Sequence, residues 1–343
     1  MLRVTLRALG QAPVRFRWVQ RDIFQSLGNN SAPLPLRQEQ LKLALQVGLF
    51  SQVEIGGGQD HGATVQHTGD RDAFDNLAAL AAMCQAEQVQ TSILLRGANL
   101  TSFRPFSLQV QDRYVRLLGE AGVSICKVFD ASNNCGMMQP AVEAVLKYGM
   151  TPQIAICMTQ VQSVDFILQK FVQVAQMLQA SGIAPSQVLV DFKSMAGTDP
   201  YGRYTAIAAA FRSGRLERLM LDSGVAPEVA QAFTAGFLDQ LTLHVHSDPG
   251  GAMAIICEAV DAGLGSVDVG SSYCRPTRPR SRCSTCLRTT RGFRRERRTT
   301  SRASWSGCRS SMGLTNPACG RNWPRSSMPA PRYQSRIRRS TCR

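Results

Sequence analysis

Two histidines in the segment HVH, residues 244–246, are the most specific local signal for chemistry in this 343-residue chain. If the segment is a strand, side chains two positions apart point to the same side, so His244 and His246 can present their imidazoles to one point. Two histidines with a carboxylate, which Asp22 can supply, suit a divalent metal such as zinc, with manganese or cobalt as alternatives. The pattern predicts a metal site, and the alternative is a hydrogen-bonded histidine pair without an ion.

A lysine at the end of an apolar run is a second candidate. Residues 189–193 read LVDFK, which is typical of a strand bound for a protein interior, and Lys193 ends it. An inward-facing ammonium costs free energy unless something neutralises or uses it. Lys193 is therefore predicted to have a function.

Eight short apolar runs alternate with helical patterns along most of the chain. The runs span residues 15–20, 52–57, 91–97, 125–130, 152–158, 187–193, 241–246 and 265–270. Helical patterns cover residues 37–50, 71–88, 112–122, 138–149 and 164–182. Strand and helix alternating eight times predict an α/β fold, a (β/α)8 TIM barrel, and a doubly wound sheet is the structural alternative.

Polar residues collect where these predicted strands end, which is where a barrel of this kind carries its active site. They are Arg21 and Asp22 after the first run, Arg96 at the third, Asp130 at the fourth, Lys193 at the sixth, and His244 and His246 at the seventh. Each has an ordinary explanation by itself, because an aspartate after a strand is often a helix cap and a strand histidine is often a core residue. Together they predict a site at the barrel mouth.

Five motifs resemble, in order, those of the biotin-dependent carboxyltransferase barrels. They are RDIFQS (21–26), LLRGANL (94–100), KVFDASN (127–133), KSMAG (193–197) and LHVHSDPGG (243–251). This family comprises the carboxyltransferase domain of pyruvate carboxylase, the α subunit of oxaloacetate decarboxylase and a transcarboxylase subunit, and its barrel is similar to that of HMG-CoA lyase. The resemblance covers roughly residues 17–271.

The resemblance implies a role for each matching residue. Lys193 matches a lysine that is carbamylated in the family, which turns a buried cation into an anionic metal ligand beside Asp22, His244 and His246. Residues that hold the carboxylate and carbonyl oxygen of the keto acid correspond to Arg21, Gln25 and Arg96. The implied reaction is carboxyl transfer between carboxybiotin and pyruvate or oxaloacetate, with Arg21, Gln25, Arg96 and Lys193 as catalytic residues.

Several positions depart from the family pattern. Ser194 replaces the usual aspartate after the lysine, Phe24 the histidine of RDxHQS, and Phe103 an aromatic residue that is usually tyrosine. The family's C-terminal domain and a biotin-attachment motif have no counterpart here. We therefore expect biotin to arrive on a separate biotinylated carrier protein or domain.

The composition changes after Tyr273. Of 39 basic and 24 acidic residues, 19 arginines and one acid, Glu296, lie beyond this point, which leaves 20 basic and 23 acidic residues before it. The arginine-rich part shows no helical or strand period. Out-of-frame translation is the preferred interpretation, and a nucleic-acid-binding arm or half of a zinc site at Cys283 and Cys286 are the alternatives.

These observations predict three regions and limit the class of protein. We expect an N-terminal extension over residues 1–14, a carboxyltransferase-like barrel over 15–272 that is incomplete after its eighth strand, and a poorly ordered basic tail over 273–343, with reduced or absent activity. The chain shows no secretory signal and no apolar run of about 18 residues, so we expect a cytoplasmic protein with reduced cysteines.

The sequence leaves two further classes of function open. One is a biotin-independent, metal-dependent lyase or aldolase of the HMG-CoA lyase type. The other is a non-enzymatic binding protein that acts through the basic tail, although nucleic acid is not the expected partner. The oligomeric state also stays open, with a homo-oligomer among the alternatives.

Overall fold

The protein is described by a computed structural model that covers most of the region before the basic tail. The described residues are 13–26, 32–58, 72–194, 200–235, 238, 240–246 and 249–270. The chain divides into two units, residues 1–281 and 282–343, and all described residues belong to the first. The predicted tail, and most of the predicted N-terminal extension, lie outside the described residues, so the three predicted regions stay predictions.

Eight parallel strands form a closed barrel in chain order. They are β1 (Arg15–Val19), β2 (Phe50–Gly57), β3 (Gln90–Leu95), β4 (Ile125–Phe129), β5 (Thr151–Met158), β6 (Leu189–Ser194), β7 (Thr242–His244) and β8 (Ser266–Val269). The ring is complete because β8 pairs with β1, where Val267 lies opposite Phe16. This confirms the predicted TIM barrel and excludes the doubly wound sheet. The sequence predicts that the helix after β8 is missing. That helix would lie outside the described residues, so this stays a prediction.

Ten α-helices lie within the described ranges. They are α1 (Gln20–Ser26), α2 (Leu34–Val47), α3 (Ala73–Ala86), α4 (Leu108–Glu120), α5 (Cys135–Lys147), α6 (Val164–Ala180), α7 (Arg203–Arg212), α8 (Arg215–Asp222), α9 (Pro227–Thr234) and α10 (Pro249–Asp261). Side-chain caps fix several helix starts: Asp72 accepts a hydrogen bond from the Phe74 amide before α3, and Ser163 accepts one from the Phe166 amide before α6. Such a cap contributes about 1 kcal/mol to helix stability.

The apolar core lies between the outer face of the barrel and the helices. Phe171 of α6 makes edge-to-face contacts with Phe192 of β6, Phe211 of α7 and Phe233 of α9, at centroid distances of 5.3 to 6.1 Å. These rings are buried and join β6 to three helices. Aromatic pairs of this kind contribute about 0.5 to 1.5 kcal/mol beyond their buried area, so the cluster fixes the position of β6.

Alternation along β6 then places its polar residues inside the barrel. Val190 and Phe192 belong to the apolar core, whereas Asp191 and Lys193 alternate with them in sequence and face the other way. Asp191 contacts Lys127, which projects from β4, a strand separated from β6 by β5. A contact between strands that are not neighbours can form only through the barrel interior.

No helix among the described residues combines the length and apolarity needed to cross a membrane.

Candidate functional site

Three side chains of types that can bind a metal converge at the carboxyl end of the barrel. Asp22 lies in α1, directly after β1, His244 is the last residue of β7, and His246 follows two residues later. One ligand atom from each lies within 4.8 Å of the other two. The sequence predicted this convergence from the spacing of the histidines. The strand ends earlier than predicted, because His246 lies beyond β7, yet both imidazoles still meet.

The ring of His244 has a defined orientation. Its Nδ1 lies 2.9 Å from Oδ2 of Asp268, and its Nε2 lies 2.7 Å from Nε2 of His246 and 3.3 Å from Oδ2 of Asp22. Burial outweighs the other influences and lowers the pKa of His244 to about 4, so the ring is neutral at physiological pH. Although burial alone would raise the pKa of Asp268, Lys127 and His244 hold it far below its usual range. Asp268 is therefore an acceptor, and His244 carries its proton on Nδ1.

This protonation state leaves the Nε2 lone pair of His244 facing the carboxylate of Asp22. Two electron-rich atoms 3.3 Å apart repel unless a proton or a cation lies between them. Burial would raise the pKa of Asp22, but the positive charges of Arg21 and Lys193 outweigh it and hold that pKa below its usual range. Asp22 is thus ionised, and the three donors present an arrangement that suits a divalent cation.

Arg21 anchors Asp22 from the opposite side. Its Nη1 lies 2.6 Å from Oδ1 of Asp22, and its Nε donates to Oε1 of Glu54 in β2 at 2.5 Å. All three side chains are mostly or fully buried. Since these contacts hold Arg21 beside two carboxylates, its predicted contact with a keto acid stays a prediction.

Lys193 lies on the strand next to His244. The two residues are paired across β6 and β7, and Lys193 is 5% exposed. Burial and the positive charges of Arg21 and Lys127 lower the pKa of Lys193, while Asp22 and Glu54 oppose this shift less strongly. Its Nζ lies 5.6 Å from the ring centroid of Phe129. The structure therefore places Lys193 near the three ligands with a larger neutral fraction than an exposed lysine has.

Arg96 directly follows β3 at the same rim and is half-buried. Its guanidinium lies 4.3 Å from the ring centroid of Phe103 and donates through Nη1 to the carbonyl of Ser102 at 3.2 Å. The next residue, Gly97, has a φ of +47°, and a Cβ there would meet the carbonyl oxygen of Met137 at 2.5 Å. Only glycine fits this close approach, which explains the glycine in LLRGANL.

Gln25 and Asp130 are two further positions that the sequence placed at the barrel mouth or in the site. The side chain of Gln25 lies outside the described residues, although its backbone belongs to α1. Asp130 accepts hydrogen bonds from the backbone amides of Ser132 at 2.9 Å and Asn134 at 3.1 Å. Asp130 thus organises the turn after β4, which is the ordinary explanation for an aspartate at this position.

A buried charge cluster lies inside the barrel and was not predicted from the sequence. Nζ of Lys127, a residue that is 1% exposed, contacts Asp268 and lies 3.0 Å from Asp191 and 3.3 Å from Glu54. Burial would lower the pKa of Lys127, but the three carboxylates together raise it above its usual value. Each residue interrupts an apolar run at an inward position, and this interruption is the signal that could have revealed the cluster.

An open cavity of about 350 Å³ lies against the convergent ligands. Its polar lining includes Asp22, His244, His246 and Asp268, and apolar residues such as Val19 and Val245 complete the wall. Small-molecule sites typically occupy about 300 to 1,000 Å³, so the cavity has the size of a small-molecule site beside the ligand cluster.

The fold and the ligand cluster together define the class: a (β/α)8 barrel with a candidate metal centre at the carboxyl ends of its strands. No protein-family model matches the chain. The carboxyltransferase domain of Rhizobium etli pyruvate carboxylase, in a structure with pyruvate and biocytin, superposes with a TM-score of 0.59 at 21% identity. The match covers 75% of this chain and 40% of that chain and supports the fold.

Relatives found by sequence show more specifically which proteins the chain resembles. The chain is 28% identical over 195 residues to a pyruvate carboxylase subunit of Methanocaldococcus jannaschii, covering 56% of this chain and 32% of that protein. It is 28% identical over 223 residues to the methylmalonyl-CoA carboxyltransferase 5S subunit of Propionibacterium freudenreichii, covering 65% of this chain and 38% of that protein. These homologues confirm the resemblance to biotin-dependent carboxyltransferases. The chain spans about a third of the length of these two relatives.

Proposed function

We propose that the barrel is built for metal-dependent carboxyl transfer between a biotin carrier and pyruvate or oxaloacetate. The observation that carries this proposal is the convergence of Asp22, His244 and His246 within 4.8 Å at the rim of a barrel whose relatives are carboxyltransferases. A lyase with the same ligands would act without biotin, and the relatives do not favour it.

Asp22, His244 and His246 would hold the divalent metal, with zinc as the first candidate. Lys193 would supply a fourth ligand after carbamylation. In that reaction the neutral amine attacks carbon dioxide, a C–N bond forms, and one proton is released to solvent. The lowered pKa of Lys193 supports this step, because only the neutral amine is nucleophilic.

The keto acid would lie in the cavity beside this cluster. Arg96 would bind its carboxylate through the planar guanidinium fork, while Arg21 and Gln25 would orient the carbonyl oxygen. Decarboxylation of oxaloacetate breaks its C3–C4 bond and leaves an electron pair that becomes the enolate of pyruvate. A bound divalent metal would supply positive charge that stabilises this enolate oxygen.

Biotin would take up the carboxyl group that leaves oxaloacetate and would return it in the reverse direction. In this chain we expect the biotin on a separate carrier, which approaches the open rim of the barrel. A separate reaction would load or unload the carrier. That reaction determines whether the barrel carboxylates pyruvate or decarboxylates oxaloacetate.

The test is oxaloacetate decarboxylation by the zinc-loaded full chain, with free biotin in place of the carrier and pyruvate as the measured product. We expect turnover that depends on biotin and is lost in His246→Ala, whereas Lys42→Met on the exposed face of α2 should behave like the parent chain. Turnover without biotin would favour a lyase instead. No turnover from a folded, zinc-loaded chain would contradict the proposal and agree with the expectation that the barrel is incomplete.

A further inference from the structure

Asp268 of β8 contacts both a candidate metal ligand and the buried charge cluster. Its Oδ2 lies 2.9 Å from Nδ1 of His244, and the same oxygen contacts Nζ of Lys127. The side chain is 3% exposed. One carboxylate oxygen therefore joins the floor of the candidate site to the interior of the barrel.

The hydrogen bond determines which nitrogen of His244 faces the site. With Nδ1 directed at Asp268, Nε2 faces His246 at 2.7 Å and Asp22 at 3.3 Å. Rotating the ring by half a turn would bring Nδ1 and Nε2 to other partners and would leave Asp268 without its donor. A carboxylate that accepts from one ring nitrogen fixes the tautomer, so that the other nitrogen presents its lone pair.

Asp268 is itself held in place from across the barrel. Lys127 projects from β4 and also contacts Glu54 of β2 and Asp191 of β6. Four strands thus meet at one ammonium group. Since the interior is tightly packed and the contacts are charged, Asp268 has little freedom to turn away from His244.

We infer that Asp268 is a positioning residue that directs Nε2 of His244 into the metal site, an inference that rests on the metal site proposed above. Lys127 holds the carboxylate of Asp268 in position for its contact with His244. Asp268 acts through its contact with His244.

Asp191 provides a matched control. Asp191 and Asp268 are both buried carboxylates that contact Lys127, but Asp268 alone of the two also contacts His244. The variants Asp268→Leu and Asp191→Leu keep a similar side-chain size and remove every acceptor atom. Both variants weaken the charge cluster, and only the first also frees the ring of His244.

Zinc affinity, measured in the full chain by competition with a chromophoric chelator, is the first readout. Asp268→Leu should bind zinc about 10- to 100-fold more weakly than Asp191→Leu, the usual cost of losing an outer-shell partner of a metal-bound histidine. Equal affinities in two folded variants would overturn the inference and leave the proposed function standing. A parent chain that binds no zinc would contradict both the inference about Asp268 and the proposed function.

The tautomer of His244 in metal-free parent protein is a second readout, which does not require any variant to fold. The chain has four histidines, so ¹⁵N-histidine labelling gives a spectrum simple enough to assign by single substitutions. We expect the proton on Nδ1. A proton on Nε2 of His244 would overturn the inference. A weakened affinity in Asp268→Leu without any carboxyl transfer by the parent would support the inference and contradict the proposed function.

Discussion

Lys193 and His244 lie opposite each other on adjacent strands, β6 and β7, at the carboxyl end of the barrel. The pairing places a buried lysine next to a buried histidine whose imidazole faces Asp22 and His246. A cation in that position would repel a metal ion, and a carbamate would bind one. The chemistry of the site therefore depends on the state of Lys193.

Carbamylation of Lys193 is the first prediction. Protein equilibrated with ¹³C-bicarbonate should show a carbamate signal by ¹³C NMR that disappears in Lys193→Met and persists in Lys42→Met. Because burial, Arg21 and Lys127 lower the pKa of Lys193, the amine should react at a lower pH than an exposed lysine does. The signal should decline on acidification as the amine takes up a proton. A signal that survives in Lys193→Met would assign the carbamate to another residue.

Arg96→Lys tests the keto-acid contact. Lysine keeps the charge but loses the planar fork and the stacking on Phe103, so kcat/KM for oxaloacetate should fall by about 10- to 100-fold. The matched control is Arg104→Lys in the exposed part of the same loop, which should leave kcat/KM unchanged. Equal values for Arg96→Lys and the parent chain would show that Arg96 does not bind the substrate.

The buried cluster predicts a large stability effect at Lys127. Lys127→Met leaves the buried carboxylates of Glu54, Asp191 and Asp268 without their shared cation, and breaking such a cluster costs about 3 to 5 kcal/mol of unfolding free energy. Urea unfolding followed by circular dichroism measures this cost. Lys42→Met should change the free energy by less than about 0.5 kcal/mol. Matching midpoints for the two variants would mean that Lys127 contributes no net stability.

The sequence predicted the strands well because short apolar runs bounded by polar residues are a direct consequence of burial on both faces of a parallel sheet. It also placed Asp22, Lys193 and His244 at the correct end of the barrel. The HVH spacing correctly indicated that both imidazoles meet, although His246 lies beyond the strand.

Other features could not be predicted, either because the helices are short or because the residues in contact lie far apart in the chain. Three short helices, α7, α8 and α9, lie between β6 and β7, a stretch for which the sequence indicated no helical pattern. The contact between Lys127 and Asp268 joins residues 141 positions apart. No local period reports such a pairing, since it depends on closure of the barrel and on which strands face each other across its interior.

The most direct test of the metal site is anomalous diffraction at the zinc absorption edge from crystals of the zinc-loaded full chain. We predict one strong peak about 2.0 to 2.3 Å from Nε2 of His244, Nε2 of His246 and a carboxylate oxygen of Asp22. The same measurement on Asp22→Asn crystals should show a weakened peak. A well-ordered barrel with no anomalous peak among these three residues would contradict the account.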